Sequence, residues 1–227
     1  MNSLYKAASV AAFVIFFGML VHLMNAFWLE PTYLGFVDPA KDYADMAKIQ
    51  NAFESCSMNA LHLCSFTYSG FAHMLNGLMF FLLAVAVREA FRVSNPILSQ
   101  LAYVAGLVCG LGFLATGIND IPGSALSALL REQNPDFNVA ILLMTTTVRS
   151  IVNIIAITGL GLFAAFTGRA ALLSGQFSKW GAWFGFILLV PGIGGLINPV
   201  FGFTYLSFVP IWAIWLGLQF KVLAARS

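Results

Sequence analysis

Residues 60–92 read ALHLCSFTYSGFAHMLNGLMFFLLAVAVREAFR. This long apolar run carries His62, His73 and Asn76 within it and ends in Arg88 and Arg92. A run of this length reads as a membrane-spanning helix. Polar side chains inside such a helix are costly, so they face partners, a cavity or a ligand.

The rest of the chain agrees. Of its 227 residues, 60% are hydrophobic and only 9% are charged, against about 25% charged in a soluble domain. The formal charge of +2 is small and the basic residues form no cluster. A nucleic-acid partner is excluded on that ground, since it requires a concentrated basic surface. Cys56 and Cys64 are too far apart on one helix for a disulfide. With Cys109, they read as small buried apolar residues. The apolar run after MNSLYK is longer than a signal-peptide core and lacks a convincing cleavage site, so it reads as a retained first helix.

Hydropathy places six spans, at about 7–28, 58–87, 98–118, 137–166, 180–197 and 204–220. The expected fold is an all-α integral membrane protein, one six-helix bundle in a single domain. Lys6, Arg88, Arg92, Arg169, Lys179, Lys221 and Arg226 fall on one side of these spans. The positive-inside rule makes that side cytoplasmic, with both termini on it. Of the nine acidic residues, only Glu89 shares that side. A cell membrane, plasma or inner, is the simplest location.

The outer side is the more elaborate. Asp38-Pro39 resembles an N-cap with proline at the first helical position. Tyr43, Met46, Ala47, Gln50 and Phe53 then recur at helical spacing, predicting a short amphipathic helix in the first outer loop. Residues 119–138 read as a turn at Asn119-Asp-Ile-Pro-Gly followed by a short helix. Gly106/Gly110 and Gly181/Gly185 are GxxxG pairs suited to close helix packing. Pro191-Gly-Ile-Gly-Gly195 predicts a kinked or broken fifth span, and Pro210 a kink in the sixth.

Seven polar residues lie within the membrane. Counted at about 1.5 Å per residue from each span's outer end, His22, Asn25 and His62 form an outer level, while His73, Asn76, Arg149 and Asn153 form a middle one. Arginine at a helix centre costs about 2.5–3.5 kcal/mol before compensation. Arg149 therefore either pairs with Asp120, at the end of the third span, or holds an anionic or carbonyl-bearing ligand. Asn76 follows His73 by three residues and Asn153 follows Arg149 by four, so each pair shares a helix face. Amides at such positions also serve simply as ties between helices. His22-Leu-Met-Asn25 echoes His73-Met-Leu-Asn76, which reads as shared packing chemistry or chance.

Three functions compete on these residues. In the first, a bundle with an outward-opening polar pocket binds, or binds and transforms, a lipophilic small molecule bearing an anionic or carbonyl group. Arg149, His73, Asn76 and Asn153 would be the binding residues, and His73, Arg149 and Asp120 the candidates for any proton chemistry. In the second, the chain is a non-catalytic accessory subunit of a membrane-protein complex. In the third, it is a haem-b or quinone-linked electron-transfer subunit, with His22 and His62, or His73 in place of either, as axial ligands. The lipid bilayer is a partner in all three. Secondary transport is disfavoured by the lack of an internal repeat and the scarcity of intramembrane carboxylates. No hydrolase, zinc-protease or phosphate-loop signature occurs.

Overall fold

Apolar residues alternating with glycine and alanine, rather than charge, run through six long stretches, and each of them is helical. A computed structural model describes residues 2–35, 39–42, 45, 47–48, 65–197 and 204–226. No strand occurs among the described residues. The helices are α1 (Asn2–Met24), continued by a π-helical segment (Asn25–Leu34), α2 (Pro39–Asp42), α3 (Ser65–Phe91), α4 (Pro96–Gln133), α5 (Pro135–Ser174), α6 (Lys179–Ile197) and α7 (Tyr205–Arg226). Among the described residues, six segments are long and apolar enough to cross a membrane: Asn2–Trp28, Tyr68–Phe91, Pro96–Pro122, Leu143–Ser174, Lys179–Ile197 and Tyr205–Arg226. Trp28 and Trp180 are exposed near opposite ends of these segments, where amphipathic indoles sit at a lipid–water boundary.

Each long helix packs on the next, and α7 returns to α1, closing a ring. Tyr5 stacks on Phe220 with ring centroids 5.9 Å apart, so the two termini share one end. The ring's interior is aromatic. Phe80 of α3, Phe113 of α4, Phe163 of α5 and Trp212 of α7 are all fully buried. Phe80 meets Phe113 at 5.6 Å and Phe163 at 6.2 Å, and Phe163 meets Trp212 at 5.7 Å.

Lipid removes the hydrophobic drive between helices, so close backbone approach must supply the association. A Cβ on Gly112 would stand 2.6 Å from the backbone nitrogen of Ala156, and one on Gly159 2.6 Å from that of Cys109. These positions make the α4–α5 seam. The GxxxG pairs also pack as expected: Gly110 lies against Phe81 and the Gly77 carbonyl, and Gly185 against Ala164.

Two expectations change. The turn at 119–123 is absent, because α4 continues as helix through Pro122 to Gln133. Asn119, whose amide a turn would use locally, instead donates to the Thr145 carbonyl of α5 at 3.1 Å. With 38 and 40 residues, α4 and α5 are roughly 57 and 60 Å long and project well beyond a hydrocarbon core of about 30 Å. Asn134 caps α5 between them, its side chain accepting from the Phe137 amide at 3.1 Å. The fifth span is not broken: α6 runs continuously through Pro191 to Ile197. Its Gly192 carbonyl accepts from Thr158 Oγ1 of α5 at 2.9 Å, a tie that steadies the helix beside the proline. Pro210 lies inside α7, as expected of a proline within the sixth span.

Most of the expected amphipathic loop helix, with Cys56 and Cys64, lies outside the described residues. Within that loop, α2 does begin at Pro39, and Lys48 forms an ion pair with Asp42.

Candidate functional site

Away from the end that bears the termini, the aromatic interior gives way to polar side chains. His22 occupies the last turn of α1 and is 5% exposed; His73 of α3 is 4% exposed. Their ring centroids are 4.0 Å apart, with planes inclined by 32°. Phe113 covers the pair from α4, 5.5 Å from His73 and nearly parallel to it at 18°. His22 Nδ1 lies 3.1 Å from Ser69 Oγ, one turn before His73 on α3. When Nδ1 accepts that hydroxyl proton, His22 Nε2 carries the ring N–H; in the other tautomer it is an acceptor. In both cases Nε2 is buried and has no hydrogen-bond partner among the described residues.

Asn76, one turn along α3 from His73, has no exposed surface. Its amide lies against Gly18 of α1, one turn before His22. Any Cβ at Gly18 would collide with the Asn76 carboxamide. Among the described residues neither Asn76 Oδ1 nor Nδ2 has a hydrogen-bond partner, and neither has His73 Nδ1. A buried amide without a partner costs about 1–3 kcal/mol, so this concentration of unused donors and acceptors is exceptional for a packed interior.

The charged pair stands beside this cluster. Arg149 Nε donates to Asp120 Oδ1 at 2.8 Å, joining α5 to α4. The Asp120 side chain is fully buried, while that of Arg149 keeps 22% exposure. Asp120 Cβ is 3.3 Å from the position a Cβ on Gly70 would take, directly next to Ser69. Tyr205 is buried at the start of α7, 6.3 Å from Phe113. Asn153 Oδ1, one turn along α5, is buried without a hydrogen-bond partner among the described residues.

The two expected polar levels do not hold. His22 and His73 stand side by side, because counting rise from each helix end fixes depth only relative to that end. The His73–Asn76 face turns to α1, and Arg149 turns to α4. Phe113 and Asp120, both of α4, stand between these faces. Arg149 and Asp120 form the ion pair that was one of the two readings of the sequence.

The His22–His73 geometry does not fit haem ligation by this pair. Axial imidazoles aim ring nitrogens at an iron from opposite sides, whereas these rings lean face against face with no space for a porphyrin. His62 lies outside the described residues.

Sequence reasoning missed Gly18, Ser69, Phe113 and Tyr205. For the first two a signal existed. The His-x-x-Asn echo marks where α1 and α3 meet, and Gly18 and Ser69 each stand four residues before a stacked histidine. The π-helical segment that begins at Asn25, immediately beyond His22 and Met24, had no such signal; π-helical turns recur at functional sites. Comparison of the chain with protein-family models, curated proteins and solved structures returned no match.

Proposed function

We propose that this is a multi-pass membrane protein that binds a lipophilic small molecule through a carbonyl-bearing polar end, at the cluster of His22, His73 and Asn76. The observation that carries the reading is the set of buried, unused polar atoms on these three side chains: His22 Nε2, His73 Nδ1 and both polar atoms of Asn76. Imidazole and carboxamide N–H groups donate well to a carbonyl oxygen. Asp120 balances the charge of Arg149, which favours a neutral carbonyl over an anion as the ligand's polar end. The Arg149–Asp120 pair then forms the charged wall of the site, and Asn153 extends it along α5. The aromatic interior suits a hydrocarbon or ring portion. The imidazoles can also pass a proton to a bound carbonyl oxygen. By the charge bias, the site lies in the outer half of a cell membrane, with both termini cytoplasmic.

The test is calorimetric titration of the detergent-purified protein with decylbenzoquinone, a lipophilic dicarbonyl probe. Saturable binding to the wild type that is lost in both Asn76→Leu and His73→Leu, with folding retained, supports the site. Equal heats in wild type and both variants overturn it.

A second reading, a non-catalytic accessory subunit, is favoured by the Arg149–Asp120 pair, which ties α4 to α5 without needing any ligand. It expects co-purification with another membrane protein and no probe binding.

A further inference from the structure

At the end bearing the termini, α1 and α7 leave a cleft of about 630 Å³ between them. Ser9 Oγ donates to the Gly217 carbonyl at 2.8 Å and closes its floor. Three residues before Ser9, and four after Gly217, the helices present Lys6 and Lys221 to the same cleft. Both lysines are exposed, and neither has a carboxylate partner among the described residues. Glu89, the one acidic residue at this end among the described residues, is engaged by Arg92 at 3.0 Å. Two like charges flanking one cleft repel unless an anion sits between them.

The cleft also has a polarity gradient along the membrane normal. Ala224 and Ala225 leave room toward the chain termini, while Val10 and Phe13 line the side toward the bundle's middle. Val10 is 62% exposed, an apolar wall open to the outside of the bundle. Phosphate between two ammonium groups, with hydrocarbon along Val10 and Phe13, matches the layout of a phospholipid. We propose that the α1–α7 cleft holds an anionic glycerophospholipid, its phosphate held by Lys6 and Lys221. The charge bias puts this end on the cytoplasmic leaflet, where anionic lipids attract basic residues. The site is separate from the His22–His73 cluster and does not depend on it.

Native mass spectrometry of the full chain, released from detergent containing phosphatidylglycerol or phosphatidylcholine, tests this directly. Wild type should retain phosphatidylglycerol selectively. Lys6→Gln and Lys221→Gln should each weaken retention about five-fold, and the double variant by about thirty-fold. Lys179→Gln, at the same end but outside the cleft, should leave it unchanged. Equal retention of the two lipids overturns the proposal, as does loss in Lys179→Gln equal to that in the cleft variants. Displacement of the lipid by millimolar inorganic phosphate alone would make the cleft a simple anion site and overturn the lipid assignment. Unchanged melting of the glutamine variants in detergent separates lost lipid from lost fold.

Discussion

Arg149 of α5 and Asp120 of α4 meet at 2.8 Å, with the carboxylate side chain wholly buried and the guanidinium partly open. Each charge would be intolerable alone in an apolar bundle. Removing one partner of a buried pair costs about 3–5 kcal/mol, because the other is left without its compensating charge. Arg149→Leu and Asp120→Leu should therefore each lower the melting temperature sharply in mild detergent. The double Leu variant should recover most of that loss, since replacing both charges by apolar groups is often near neutral. If the two single losses simply add in the double variant, the residues are not energetically coupled.

Gly18 and Asn76 share one space across the α1–α3 interface. Gly18→Ala drives a methyl into the Asn76 carboxamide, and overpacking of this kind costs about 1–3 kcal/mol. Shortening the obstacle should restore the fit, so Gly18→Ala/Asn76→Ala should melt higher than Gly18→Ala alone. That rescue, read by thermal unfolding in detergent, is specific to contact between the two positions. Its failure would separate Gly18 from the Asn76 side chain.

The six spans were legible because apolar length is a local property of the chain. The ion pair was half legible: the cost of Arg149 demanded a partner, and Asp120 was the nearest carboxylate. Helix continuity at 119–123 and at Pro191 was not legible. Asn, Asp, Pro and Gly carry local turn and break preferences, which α5 overrides by engaging Asn119, Asp120 and the Gly192 carbonyl. The His22–His73 stack depends on how far one helix slides along another, and spacing within a single helix cannot encode that. The echoed His-x-x-Asn motif was the nearest thing to a trace of it.

Glycines of the bundle should differ in sensitivity according to what they face. A methyl at Gly112 meets the backbone of Ala156 at 2.6 Å, so whole helices must part to admit it. At Gly217 the nearest atom is the Ala12 side chain at 3.3 Å, where a few tenths of an ångström suffice. Gly112→Ala should lower the melting temperature clearly, with a loss of about 1–3 kcal/mol, while Gly217→Ala should stay close to wild type. Equal effects would mean that the α4–α5 seam is no tighter than the α1–α7 contact.

Two buried or half-buried threonines make bonds of nearly the same length but different consequence. Thr116 Oγ1 donates within its own helix to Gly112 at 2.8 Å, whereas Thr158 Oγ1 crosses from α5 to Gly192 of α6 at 2.9 Å. The local bond can persist when α4 separates from its neighbours, so its loss changes folded and dissociated helices alike. The crossing bond exists only when α5 and α6 are packed, and bonds of that kind contribute about 0.6–1.7 kcal/mol in membrane bundles. Thr158→Val should therefore destabilise within that range, while Thr116→Val should cost less. Because the Thr158 bond lands one residue after Pro191, its loss should also speed amide hydrogen exchange around residues 192–196. Exchange there as slow as in the wild type would show that Pro191 and the glycines hold α6 in line without help from Thr158.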